Sequence, residues 1–347
     1  MDPQMDGNTE PKTYIDFAAL SLVGLLISIG IIVYIIHGLD MALLAQSFRK
    51  LNFAWLFLMG LIYLSGFLLR GVRWCIMLSP FKGLSIKTTT EGVIVGYAAN
   101  NILPAKAGEV VRAMFLSSKE GIGRATTFGT IVIERIFDGL TILLILGVSS
   151  LFLGMDTVKQ EMVNRLVLIG CLIFGSALLL VLLGAKYRRP VEKLLAFILK
   201  HLPQPVSDKA ASLLENFWDS LVGLRSRKRI LFVSILSILI WSVEGLVFLV
   251  GFPAFRLSPN ILLAYFTLAF VNLGMLLPSA PAGVGVFQGG NILAFSLFGI
   301  GLEEALSYSI VVHFVMIIPI TIVGLIILNR EGLALLNLKR TLRSVPH

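Results

Sequence analysis

Gly92–Arg112, GVIVGYAANNILPAKAGEVVR, passes from an apolar run through two amides and a proline to three charges, and another apolar run follows soon after. Asn100 and Asn101 lead into Leu103-Pro104; Lys106, Gly108, Glu109 and Arg112 come next. Proline removes a backbone donor and glycine permits tight turning, so a helix entering this stretch should break and reverse. Read as a plain loop, its charges would simply be solvated. With apolar flanks on both sides, irregular backbone and charge are tolerated at membrane depth only where protein or a water-filled cavity surrounds them.

The rest of the chain identifies the medium. Of 347 residues, 56% are hydrophobic and 14% charged, and the mean hydropathy is +0.89. Apolar runs of about 18 residues or more can cross a hydrocarbon core of roughly 30 Å. Such runs place spans at about 17–36, 51–69, 127–153, 166–184, 230–251 and 308–328, leaving unusual segments at 88–116 and 260–300. The leader MDPQMDGNTEPK is acidic and precedes no clear cleavage site, so the first run reads as a permanent helix. The net charge of +9 gathers in loops between spans, which fits lipid phosphates and excludes a nucleic-acid reading. Cys75 and Cys171 have no metal-like spacing and imply neither a disulfide nor a metal site.

Residues 185–229 hold ten Lys or Arg against four acids, which predicts a cytoplasmic loop. Counting outward puts both termini inside, although Arg49 and Lys50 then fall on the outer face. Within the loop, Val191, Leu194, Leu195, Ile198, Leu199 and Leu202 recur at helical spacing, as do Leu213, Leu214, Phe217, Trp218, Leu221 and Val222. Two amphipathic helices at headgroup level are expected, with a docking surface for a partner as the alternative.

The second unusual segment echoes the first. NLGMLLPSAPAGVGVF, Asn272–Phe287, again sets Asn before Leu-Pro and Gly, and Pro278 lies 174 residues after Pro104. Gly283 and Gly285 allow the turn; Gln288 and Asn291 add a neutral polar lining. The expected topology brings the two hairpins in from opposite faces. Paired broken helices in an inverted repeat point to a transporter site near the midplane; a chance match of a short pattern is the alternative.

Ionisable residues within apolar runs mark where chemistry could reside. Lys106, after the break, is left to face a ligand, and the resumed helix offers N–H donors suited to phosphate. Glu109 and Arg112 are spaced to pair at i, i+3. VIERIFDG places Glu134, Arg135 and Asp138 in one apolar helix, where each charge at the bilayer centre costs roughly 2.5–3.5 kcal/mol on insertion scales. They should face the bundle interior, as a functional site or as an ion-pair network that only fixes packing. Glu244 has no base within a turn and needs a proton or a partner on another helix, such as the one bearing Arg135. His313 is expected to be a packing contact. The sequence has no H-E-x-x-H, G-x-S-x-G or Walker A pattern, so no enzyme activity and no cofactor are expected.

NNILPAKAGEVVR, ERIFDG and LPSAPAGVGVFQ together resemble the lysylphosphatidylglycerol synthase transmembrane region family, a flippase-like domain, over roughly 15–330. The resemblance implies a bacterial or archaeal inner-membrane protein that moves a lipid or lipid-linked headgroup between leaflets. By motif, Asn101, Pro104, Gly108, Glu109 and Arg112 match, then Glu134, Arg135 and Asp138, then Pro278, Gly283 and Gly285. Gln288 stands where relatives often carry an acid, and the soluble aminoacyl-transferase domain is absent, so no synthesis of lysyl-lipid is implied.

The expected fold is an all-α polytopic membrane bundle with two opposed broken-helix or re-entrant hairpins in an inverted repeat. A leader at 1–14 precedes one membrane domain, 15–330, which carries cytoplasmic amphipathic helices at 190–225; a basic tail at 331–347 follows. The expected ligand contacts are Asn100, Asn101, Lys106, Glu109, Arg112, Arg135, Asn272 and Gln288. Glu134, Asp138 and Glu244 would balance charge or couple an ion, while Pro104, Gly108, Pro278, Gly283 and Gly285 break helices. Partners would be anionic membrane lipids, with an envelope-lipid biosynthetic enzyme as a further candidate. A lipid-modifying transferase and a non-transporting accessory subunit are the rival functions.

Overall fold

The computed structural model describes residues 17–103, 106–199, 204, 218, 220–221, 226–277 and 279–331. The leader, Pro104, Pro278, most of the second amphipathic helix and the tail from 332 lie outside them. The described residues form twelve α-helices and no strand. They are α1 (Phe17–His37), α2 (Met41–Arg49), α3 (Phe53–Leu78), α4 (Ile86–Ile102), α5 (Gly108–Glu120), α6 (Arg124–Phe152) and α7 (Thr157–Lys186), then α8 (Arg188–Leu199), α9 (Arg227–Ala254), α10 (Ile261–Gly274), α11 (Val286–Ser296) and α12 (Leu302–Arg330).

Helices are what this composition permits in lipid, because every backbone polar group must find its partner within the segment. Their starts are set by side chains that accept orphan N–H groups: Asn52 from Ala54 at 3.0 Å, Ser85 from Thr88 at 3.0 Å, Asp156 from Lys159 at 2.9 Å and Asn260 from Leu263 at 3.0 Å. Gly121, at φ +69, ends α5 in the left-handed conformation.

Among the described residues, α3, α7, α9 and α12 are long and apolar enough to cross a membrane, and Leu22–His37 with Met41–Arg49 qualifies as a pair bent by 96°. The expected first span is therefore one arm of a bent element. The expected span at 127–153 is α6, whose 29 residues include Glu134, Arg135 and Asp138. The span drawn to end at 69 continues to Leu78, which carries Arg70 and Arg73 into the helix. The first amphipathic segment is α8. On the bundle's outer side α7 presents Leu168, Ile169, Leu172 and Ile173 outward. It meets α6 where Gly139 and Gly170 leave room for Phe174 and Leu143, since small residues let helices approach closely.

The element order recurs. A long helix, a helical hairpin and a second long helix appear as α3, α4–α5, α6 and again as α9, α10–α11, α12. α6 and α12 each have 29 residues, and α9 begins 174 residues after α3. The halves interlock: α3 packs on α9, α4 on α12, and α6 on α10. α3 and α9 run antiparallel, since the Asn52 N–H at the start of α3 donates to the Ala254 carbonyl at the end of α9 at 3.0 Å, while Arg73 reaches Ser237.

Candidate functional site

Apolar helices cross at a buried cluster of seven charged side chains. α3 contributes Arg70 and Arg73, α5 Arg112, α6 Glu134, Arg135 and Asp138, and α9 Glu244. Glu134 and Arg73 are fully buried. Such groups persist in a low-dielectric interior only if each charge is paired and hydrogen-bonded.

Arg112 grips Glu134 with two parallel bonds of 3.0 and 2.9 Å, the fork geometry that makes Arg suited to carboxylates. Its guanidinium lies 3.8 Å from the centre of the Trp74 ring, whose indole N–H donates to Thr130 at 3.0 Å. Arg73 holds Asp138 at 2.6 and 3.2 Å, Glu134 at 3.1 Å and Ser237 at 2.7 Å. Trp241 donates its indole N–H to Asp138 at 3.0 Å. Arg135 donates to Glu134 at 2.8 Å and pairs with Asp138 at 3.5 Å. Arg70 pairs with Glu244 and sits over the Tyr97 and Trp241 rings at 5.2 and 5.3 Å.

Two features survive this mutual pairing. Four guanidinium groups face three carboxylates, so the cluster holds one cation in excess. Arg135 is also the open member, its side chain 37% exposed where the partners' are nearly or fully buried. Lys106 and Glu109, at the turn of the first hairpin, are near enough to act on or with it electrostatically.

The hairpins meet at their turns. The Lys106 ammonium, on a residue with φ +53, donates to the Met275 carbonyl at the turn of the second hairpin, and α4 packs on the 3₁₀ turn Pro281–Gly283. In the first hairpin Asn100 accepts the Gly108 N–H at 2.7 Å and donates to Glu109 at 2.9 Å. Gly108 is required for close approach, because a Cβ there would collide with the Gly96 carbonyl. Asn101 donates to Thr321 of α12 at 2.9 Å.

In the second hairpin Ala282, Gly283 and Gly285 have φ of +60, +77 and +88. Gly285 is required twice, because a Cβ would also lie 2.9 Å from the Ser28 carbonyl of α1. Gln288 accepts the Gly285 N–H at 2.8 Å and meets His313 at 3.1 Å. Asn272 donates to Leu268 within its own helix at 2.9 Å.

Several sequence expectations change here. Glu109 does not pair with Arg112: the i, i+3 spacing permits it, but Arg112 turns to Glu134 across the helix interface. Lys106, expected to face a ligand, donates to the Met275 carbonyl. Glu244 is partnered by Arg70 of α3 and not by Arg135. The amides Asn100, Asn101, Asn272 and Gln288 are all engaged within the protein. Arg70, Arg73, Trp74 and Trp241 were missed. The signal was the pair of arginines inside GFLLRGVRWCIML, with apolar residues continuing beyond them.

The sequence matches a known family. Residues 21–324 fit the family described as Lysylphosphatidylglycerol synthase TM region. The chain belongs to this family. Glycosyltransferase AglD of Haloferax volcanii is 26% identical over 309 residues, covering 81% of this chain but 46% of AglD, so the chain spans about half that relative's length. UPF0104 membrane protein MJ1078 of Methanocaldococcus jannaschii is 24% identical over 228 residues, 65% of this chain and 91% of the relative. UPF0104 membrane protein MJ1595 of the same organism is 25% identical over 251 residues, 69% of this chain and 74% of the relative. No solved structure matches the chain. This is a multi-pass helical membrane protein of the lysylphosphatidylglycerol synthase TM region family, and its relatives include UPF0104 membrane proteins.

Proposed function

We propose that the protein is a flippase that carries a phosphate-bearing lipid or lipid-linked headgroup between leaflets of the cell membrane. The observation that carries this reading is the open side of the buried cluster, where Arg135 is 37% exposed beside one unbalanced positive charge. A charge kept within apolar helices at this cost marks a pathway for a charged group by default. The headgroup phosphate engages Arg135, and Lys106 exchanges its bond to the Met275 carbonyl for the same phosphate.

The recurrence of elements supports the reading. We take α3–α6 and α9–α12 as halves of an inverted repeat, with the touching hairpins as the broken segments that rock about a midplane site. Both termini and the basic 185–229 segment are on the cytoplasmic side by the charge rule. The network itself holds the cradle in shape and takes no part in covalent chemistry. An envelope-lipid biosynthetic enzyme remains a candidate partner.

AglD carries the word glycosyltransferase in its name, and that raises lipid modification as a second reading. One proteoliposome experiment separates the two. With a fluorescent anionic phospholipid, the wild type is expected to expose inner-leaflet label to a membrane-impermeant quencher at least ten times faster than Arg135→Gln of equal monodispersity. Equal rates overturn the flippase reading. Recovered lipid whose mass has changed, given candidate sugar or aminoacyl donors, establishes the transferase instead.

A further inference from the structure

The second hairpin contains an ionisable group that the charge cluster does not use. His313 of α12 is 5% exposed and stacks on Phe287 with ring centroids 4.1 Å apart and planes 6° apart. Its protonation follows from its neighbours. The Ala282 carbonyl, 3.0 Å from Nε2, can only accept, so the ring proton is on Nε2. The Gly285 N–H can only donate, which fixes the Gln288 oxygen towards it at 2.8 Å. The Gln288 amide nitrogen therefore faces Nδ1 at 3.1 Å as a donor, and Nδ1 must offer its lone pair. The closed turn thus defines a neutral imidazole, one tautomer and one amide orientation.

A proton on Nδ1 is incompatible with that arrangement. It would face the amide NH2 donor to donor. Rotating the amide presents oxygen to His313 but turns NH2 against the Gly285 N–H, so one buried donor at the start of α11 stays unsatisfied in either orientation. The turn so released includes the positive-φ residues Ala282, Gly283 and Gly285. The helices packed on α12 are α2, α3, α4, α9 and α11. Of the charged groups on these helices, Arg49, Lys87, Arg227, Lys228 and Arg229 lie at helix ends, Glu91 is paired with Lys119, Arg70 with Glu244 and Arg73 with Asp138, and α11 carries none; the imidazole's own hydrogen-bond partners are the Gln288 amide and the Ala282 carbonyl.

Position adds weight. His313 is the twelfth residue of its 29-residue helix, as Arg135 is of α6. The acids once expected to carry a coupling ion, Glu134, Asp138 and Glu244, are all held by arginines.

We infer that His313 is a proton-binding site whose occupancy and the closed turn of the second hairpin exclude each other. Proton uptake accompanies opening of the 279–290 segment, and the proton leaves when the segment closes. Falling pH therefore favours the open form, across the range below about 6.5 where an exposed imidazole takes its proton. The inference rests on the turn's own hydrogen bonds and not on lipid movement, so its test can fail while the flippase reading stands.

The test uses the full chain in lipid nanodiscs, with ¹⁵N-labelled histidine and backbone hydrogen exchange read from pH 8 to pH 5 after correction for chemical exchange. At pH 8 the His313 signal should report a neutral Nε2–H ring. As pH falls, Nδ1 should gain a proton and exchange at Gly285 and the first turn of α11 should rise about tenfold, the order expected for one unsatisfied buried donor. His313→Gln should remove that pH dependence. In Gln288→Glu one carboxylate can accept from both the Gly285 N–H and a protonated ring, so His313 should protonate at higher pH with the turn closed. This variant carries the test if His313→Gln fails to fold. An Nδ1–H tautomer at pH 8, protonation without loosening of the turn, or the same loosening in His313→Gln would overturn the proposal.

Discussion

In the first hairpin Arg112 leaves α5 to grip Glu134, and Glu109 and Lys106 flank the turn. In the second, no charged residue occurs between Asn272 and Phe295, and the turn is held by Gln288, the His313 ring and backbone atoms. Both hairpins solve the same problem, a reversal of backbone inside an apolar bundle, which requires every freed polar group to find a partner. The charged solution locks helices together through strong long-range pairs. The neutral one uses three hydrogen bonds linked through one imidazole, and a proton on Nδ1 sets two of them, His313 with Gln288 and Gln288 with Gly285, against each other. The first hairpin is accordingly expected to yield less readily than the second.

The largest test of that contrast is Glu134→Gln. Three arginines converge on this carboxylate. Removing its charge leaves buried cations uncompensated, a class of change that costs about 3–5 kcal/mol. The matched change in the neutral hairpin is Asn291→Leu, where the buried Oδ1 already lacks a protein partner, and it is expected to cost less than about 1 kcal/mol. Thermal unfolding in detergent, followed by tryptophan fluorescence, should separate the two widely. Similar losses would remove the distinction between a locked and a movable half.

Next comes the pair that joins the halves. Arg70 and Glu244 are each the eighteenth residue of their helices, and 174 residues separate them, as they do Pro104 and Pro278. In a two-fold arrangement one position must face its own counterpart, and here it holds opposite charges. Arg70→Glu and Glu244→Arg alone should each cost about 3–5 kcal/mol by burying like charges. The double exchange should recover most of that loss, measured as the coupling term of a double-mutant cycle. A swap no better than the singles would mean that the site is asymmetric and that the matching positions are coincidence.

These results explain what the sequence could and could not disclose. Hydropathy located α3, α6, α7, α9 and α12 because a membrane helix satisfies its own backbone, so each segment is legible by itself. The hairpins were legible from Asn, Pro and Gly, which act on the local backbone. Partners were not. Helical spacing reports neighbours on one helix, which is why Arg135 with Asp138 was foreseen and Glu109 with Arg112 was wrongly paired. Arg70 with Glu244 and Arg73 with Asp138 join residues 174 and 65 apart, and no local pattern encodes those contacts. His313 read as a packing residue because its meaning depends on the orientation of an amide 25 residues away.

The smallest expected effect lies where the first hairpin is tied to the end of the bundle. Lys119, in the last turn of α5, pairs with Glu91 of α4 at 2.8 Å and with Glu331 after α12 at 2.5 Å. Partial burial works against its charge, but the hydrogen bonds and attraction from Glu331 and Glu91 prevail and hold the ammonium above its ordinary value. A lysine raised on folding adds stability below its unfolded value of about 10.4, and loses it as pH climbs through the folded value. The contribution should therefore be constant from pH 6 to 9 and vanish only in strong alkali. Because these groups are partly solvated, Lys119→Met should cost no more than about 1 kcal/mol, and salt should screen most of it. Unfolding temperatures of wild type and variant at low salt and at high salt test this: the gap should close as salt rises. A gap that persists in high salt would show that Lys119 acts through the packing of its stem on Phe115, 5.5 Å from the ammonium, and that the rigidity of the charged hairpin extends to its surface by contact rather than by charge.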